Sequence, residues 1–259
     1  MTDNLNKTST LVDKLIRPEL KELKPYESAR RLFSMSGSDD TNTVWLNYRA
    51  PYQISANFKS KEEVDVLLLP GVEITFTQAD LGIYVSGVIT ALGNADKPIT
   101  INAYENGANN YSGALIYDTA NTETSEFNHT VLNFLKVYYD YTGKGTRTNY
   151  LAPLVLNNST INSHNSSYSD FYINSAANSI VNEYGDGAYY YYDPSLKIGS
   201  VSNVTFNKLD SAGNSATTSN YIAHINSAVN SRFNDAGFYF GNGIIDGSQF
   251  SNAIIKNAG

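Results

Sequence analysis

Cysteine is absent from all 259 positions. That excludes disulfides and thiolate metal sites, and it leaves the compartment open. Histidine is scarce: His129, His164 and His224 each stand alone in a polar stretch. No H-x-x-x-H or H-E-x-x-H spacing exists, so no zinc site is expected, and the three histidines are assigned to the surface or to corners. Charge is also sparse at 17% of residues, with a net value of −7. An acidic chain is a poor match for a phosphate backbone, which argues against a nucleic-acid partner. No apolar run reaches about 18 residues, so no membrane-spanning helix is expected. The first 30 residues lack the apolar core of a signal peptide.

What the chain does have is short strands. From Val64 to Ala103, Val64, Val66 and Leu68 alternate with Asp65, Leu67 and Leu69. Pro70-Gly71 interrupts, and then Val72, Ile74 and Phe76 repeat the pattern. Leu81, Ile83 and Val85 follow, then Val88–Ala91, a turn over 94–98, and Ile99 with Ile101. Period two with β-branched residues means strands, and Pro-Gly, Gly and Asn-rich stretches supply the corners. Two topologies can use them. An antiparallel sandwich would draw on the Asn-Gly pairs at 106–107 and 242–243 and the Asp-Gly pairs at 186–187 and 246–247 as hairpin turns. A parallel β-helix would stack each strand on the one a coil earlier.

A degenerate repeat favours the second. Asn157–Asn162, Ser202–Asn207, Val229–Asn234 and Asp246–Ser251 share one plan, with Ala177–Asn182 a weaker copy. Their apolar positions Ile161, Val181, Phe206, Phe233 and Phe250 are 20, 25, 27 and 17 residues apart. Such scatter fits coils with loops of variable length. The Asn or Ser beside each apolar position is expected to stack in polar ladders at the corners.

The run Pro70-Gly71 to Phe76, then Leu81, Gly87, Ala91, Gly93 and Pro98-Ile99, resembles the opening coils of pectin-lyase-like proteins. That resemblance is best over about residues 50–120 and looser to the end. It implies an all-β fold, a single-stranded right-handed parallel β-helix, and an extracellular or cell-surface setting. In that family, lyases use a calcium-binding acidic cluster with a basic residue, and hydrolases use paired Asp residues. Glu183, Asp186 and Asp193, with Arg147 or Arg232 as bases, are the candidates here, and none falls in a family motif. Calcium is therefore implied only under a lyase reading, and no other cofactor is expected.

The first 33 residues hold 12 of the 43 charged residues. Thr10 opens a capping signal, and Leu11, Val12, Leu15 and Ile16 form a helical stripe. A second short helix is expected from Pro18 to Leu23 and a third from Glu27 to Phe33, with a polar linker over 36–43. The expected domains are thus 1–43, a helical cap with its linker, and 44–259, the β-helix with a truncated or exposed last coil. Residues 10–51 also resemble the leader of histidinol-phosphate aminotransferases, through Arg17, Leu23, Pro25, Tyr26, Ser28–Arg30, Val44–Asn47 and Pro51. A chimera, a mispredicted gene, an artificial sequence and a fragment are the origins this junction leaves open. No Ser-x-x-Lys segment follows for a pyridoxal-phosphate Schiff base, so no amino-group transfer is carried over.

Tyr189, Tyr190, Tyr191 and Tyr192 form the most unusual local feature. In a strand, one pair would face outward and offer flat rings to a sugar. With Glu183, Asp186 and Asp193 nearby as hydrogen-bond acceptors, they are the expected carbohydrate site. The Thr-x-Thr ranks that ice binding would use are absent. The expected function is a non-enzymatic surface or secreted module, adhesin-like or glycan-binding. The alternative is a carbohydrate-active enzyme, lyase or hydrolase, of the pectin-lyase-like type.

Overall fold

Alternating apolar residues in segments of two to nine residues cannot bury a face alone, and here they do so by stacking. A computed structural model describes residues 33–39, 42–47, 51–60, 64–107, 111–118, 123–140, 151–164, 170–185, 196–218, 221–241 and 243–257. Among these, 24 strands join one continuous sheet, pairing in parallel from coil to coil. The fold is all-β, a parallel β-helix, and residues 31–259 form one compact unit. The antiparallel sandwich is excluded: no hairpin occurs in 64–103.

Each coil has three faces, here A, B and C in chain order. On face A the inward column runs Tyr52, Ile74, Ile101, Leu132, Ile161, Val181, Phe206, Phe233, Phe250, one residue per coil. Face B stacks Phe58, Ile83, Leu115, Val137, Phe171, Leu196, Ala223, Phe238 and Ile255. Face C stacks Trp45, Leu68, Ala91, Phe127, Leu156, Ala176, Val201, Ala228 and Ile245. The three columns meet in a single apolar core. Phe206, Phe233 and Phe250 stack nearly face to face at 5.0 and 5.1 Å. Burial of each such ring is worth about 1.5–3 kcal/mol.

The degenerate repeat is the chemistry of one corner, C to A. Its second residue, Asn158, Asn178, Asn203 or Asn230, has φ between 49 and 54°. Asn tolerates this left-handed conformation better than other non-glycine residues, because its short side chain bonds locally. The next residue turns inward. Ser159, Ser179, Ser231 and Ser248 each donate to the carbonyl two residues earlier, at 2.6–3.3 Å. Each also accepts the backbone N–H of the matching residue one coil earlier: Thr130, Ser159, Val204 and Ser231, at 3.0–3.2 Å. A buried N–H with no partner costs about 1–3 kcal/mol, so this serine closes a corner that the sheet ladder cannot. After one outward residue and one core residue comes a second Asn. Asn102, Asn133, Asn162, Asn182, Asn207 and Asn234 link amide to amide at 2.6–3.2 Å.

Several expectations change. The polar ladder lies mainly in the strands of face A, with the corner holding the left-handed Asn and the Ser. Within the expected helix end and linker, Phe33–Asp39 is a strand, paired in parallel with Tyr52–Ser60. The remaining helical expectations lie outside the described residues. Asn106-Gly107 does lie between two short antiparallel strands, Tyr104–Glu105 and Tyr111–Ser112, which form a side excursion from the solenoid. Gly247 fills the left-handed corner position that Asn holds in the coil before, rather than a hairpin turn. Of the alternating and repeat apolar residues, Val72, Ile74, Ile83, Ile99, Ile101, Phe206 and Phe233 are buried. Leu81 and Phe250 are half-buried against the core. Ile244, Ile245, Ile254 and Ile255, in the last described coil, are exposed.

Candidate functional site

Connections between faces A and B vary in length: eleven residues at 103–113, two at 134–135, six at 165–170, and eleven each at 185–195 and 210–220. The expected tyrosine site falls in the sequence of one of these connections. Tyr189–Tyr192, Asp186 and Asp193 lie outside the described residues, as does Arg147. Of the expected site residues only Glu183 is described, and it is misplaced for a surface acceptor. Strand Ile180–Tyr184 turns Val181 and Glu183 inward, and Glu183 is 0% exposed. The period of two, carried two residues past Val181, dictates this. Its register neighbours on the inward side are Ser163 and Lys208, also buried. A carboxylate facing a buried lysine inside a solenoid cannot meet a sugar. Arg232, the other expected base, is exposed on the outside of face A, away from this edge.

Lys208 anchors the root of the tyrosine segment. Its Nζ donates to the Gly185 carbonyl, and also to that of Leu209 at 3.2 Å. Gly185 sits at φ +92°, and a Cβ there would press on the ring of His164, 2.9 Å from Nε2. Burial holds the His164 imidazole below its usual pKa, and the charge of Lys208 adds to the effect.

Outside this anchor lies an aromatic patch that the sequence did not announce. Tyr111, brought in by the side excursion, stacks on Phe134 at 4.0 Å and 15°. Tyr184 meets Phe134 edge-on at 5.6 Å, and His164 lies 5.5 Å from Tyr111. All four residues are half-buried, and both ring nitrogens of His164 are enclosed. Phe134 has φ +59°, a conformation that costs a non-glycine residue about 1–2 kcal/mol. Backbone strain of this kind concentrates at sites whose geometry matters. Burial, followed by the charges of Glu105 and Tyr184, raises the Tyr111 hydroxyl above its usual pKa, so it stays a neutral donor. The one available sequence signal was an aromatic at a turn, Phe134, which period-two reading passed over.

A second row follows the outer side of face B: Tyr172, Lys197, His224 and Tyr239 in register. Lys197 lies 4.9 Å from the Tyr172 ring centre, and His224 packs edge-on to Tyr239 at 4.7 Å. Tyr172 donates to Asp170 at 2.9 Å. Tyr172 and Lys197 are buried, so this row is structural support rather than contact surface. Among the described residues, no three His, Cys, Asp or Glu side chains gather to hold a metal ion. No helix among them is long and apolar enough to cross a membrane. An apolar void inside the first coils, lined by Trp45, Phe58, Val66 and Leu68 among others, belongs to the core.

Comparison of the chain with protein-family models, curated proteins and solved structures finds no match.

Proposed function

We propose that this chain is a non-enzymatic binding module of the pectin-lyase-like kind, displayed outside the cell. In this reading it holds a neutral glycan at the edge between faces A and B. The observation that carries it is the patch of Tyr111, Phe134 and Tyr184: rigid, half-exposed rings beside the root of Tyr189–Tyr192. Flat rings stack on the apolar faces of sugars, and the Tyr111 hydroxyl supplies a donor. The inward turn of Glu183 speaks against general acid–base chemistry, since a catalytic carboxyl must reach the proton it transfers.

A glycan array with and without calcium tests this. Binding that needs no metal, yields no unsaturated product and falls on Tyr111→Ala and Tyr184→Ala supports the module. Unsaturated sugar formed only with calcium would instead establish the lyase. Absence of both binding and turnover removes the glycan reading.

A further inference from the structure

The repeat does more than build a corner, because it also writes a regular pattern on the outside of face A. From the strand Ile99–Asn102 to the strand Thr205–Leu209, five coils stack in register on this face without an inserted residue. Each presents two outward side chains flanking its core residue. One row is Thr100, Val131, Thr160, Ile180, Thr205, and the other is the ladder Asn102, Asn133, Asn162, Asn182, Asn207. Adjacent coils lie about 4.8 Å apart and the two rows about 6.7 Å apart along the strand. The outer surface is therefore a two-dimensional lattice.

Three properties narrow what such a lattice can meet. First, it carries no charge across all five ranks. Glu73 precedes them and Arg232 follows. Ionic polymers and phosphate therefore have nothing to pair with. Second, neither row contains an aromatic ring, so sugar stacking has no platform here. Third, both rows are rigid. The first is entirely β-branched and stiff at χ1. In the second, amide-to-amide bonds of 2.6–3.0 Å fix every Asn in one orientation. Each amide spends one N–H on its neighbour and keeps the other, so one donor repeats per coil in a constant direction. Methyl groups alternate with these donors at fixed distances. A rigid, uncharged lattice of methyls and oriented polar groups suits a partner that is itself a hydrogen-bonded lattice, and little ordering entropy opposes the contact.

We propose that the outer side of face A binds ice. The Thr-x-Thr rank is absent, and (Thr/Val/Ile)-x-Asn takes its place. This inference is independent of the glycan reading, which uses a different edge.

The test is ice shaping and thermal hysteresis of the full chain, with a fluorescently tagged sample to read its uptake onto single-crystal ice. Wild type should shape ice and produce hysteresis. The double variant Thr160→Lys/Thr205→Lys should lose both while keeping its circular dichroism spectrum and Tm. Ser200→Lys, exposed on face C, should keep both. Ile180 is 45% exposed, so Ile180→Lys gives the same reading should the double variant fail to fold. Wild type that neither shapes ice nor gives hysteresis overturns the proposal. So does undiminished activity in folded face-A variants, or binding to crystalline chitin or cellulose without any effect on ice.

Discussion

Two corners of the same coil behave in opposite ways. From C to A the chain turns in a fixed few residues on every coil from His129 to Gly247, with a left-handed residue each time. From A to B the connection between strands is two residues at Asp235-Ala236 and eleven at 185–195 and 210–220. Both corners join neighbouring strands of one solenoid, so strand geometry does not separate them. The C-to-A corner is closed by side chains that bond from coil to coil, and each turn fixes the next. The A-to-B corner has such a bond where it is short, Asn252 donating to Asp235 at 3.3 Å, and local devices where it is long, such as the Asp210 carboxylate. Hydrogen bonds from the Asn214 backbone and side chain, with backbone bonds from Ala212 and Gly213, hold its pKa below the usual range. The lesson is that coil-to-coil bonding enforces length, and where it is missing, length is released for contact surface.

Insertion breaks this comparison most directly. Three residues, Gly-Ser-Gly, placed after Thr218, beyond the Asp210–Asn214 turn, should cost less than about 1 kcal/mol, because loop closure depends weakly on length. The same three residues between Asn203 and Val204 should disrupt the downstream coils, seen as loss of the cooperative urea transition. Equal tolerance at both points would show that the C-to-A corner is not under length control.

Next in size is the buried contact at the other corner's root. Lys208→Met should destabilise by about 3 kcal/mol, because the Gly185 and Leu209 carbonyls lose the charged donor that Nζ supplies. Adding Glu183→Gln tests coupling between the two register neighbours: a double variant that costs less than the sum of the singles shows it. Urea midpoints of the two single variants and the double variant form the cycle.

The corner serine is a smaller effect. Ser231→Ala should cost about 1–3 kcal/mol by leaving the Val204 N–H without its acceptor. At the neighbouring left-handed position, Asn203→Ala should cost about 1 kcal/mol and Asn203→Gly almost nothing. Calorimetric Tm values would rank the three.

The smallest expected effect is on pH. Burial lowers the pKa of His164 and His224 from 6.5, with Lys208 and Lys197 adding to it. The folded state therefore binds fewer protons than the unfolded chain just below pH 6.5. Stability should be full above about pH 6.5 and fall as the pH drops toward the folded-state pKa values. His164→Gln should flatten part of that slope in urea melts across pH 5–7.5, and an unchanged slope would remove His164 from the account.

The sequence by itself determined the strand period, the coil-length repeat and the identity of the core residues. Ile74, Ile101, Phe206 and Phe233 could be placed inward because alternation around one apolar residue admits a single sense. It also carried the corner, since Asn-Ser before an alternating pair is a local signal with a local cause. Only the tertiary structure decided which residues from different coils share a surface. Tyr111, Phe134, His164 and Tyr184 are separated by up to 73 positions and by loops of irregular length, so no spacing rule brings them together. Glu183 reads as a sugar acceptor until stacking sets it, with Lys208, on the inner side of consecutive strands. Likewise the Thr and Asn rows become a lattice only once the coils are in register. A solenoid's local pattern repeats along the chain, but its surfaces run across it, and loop length sets that second direction.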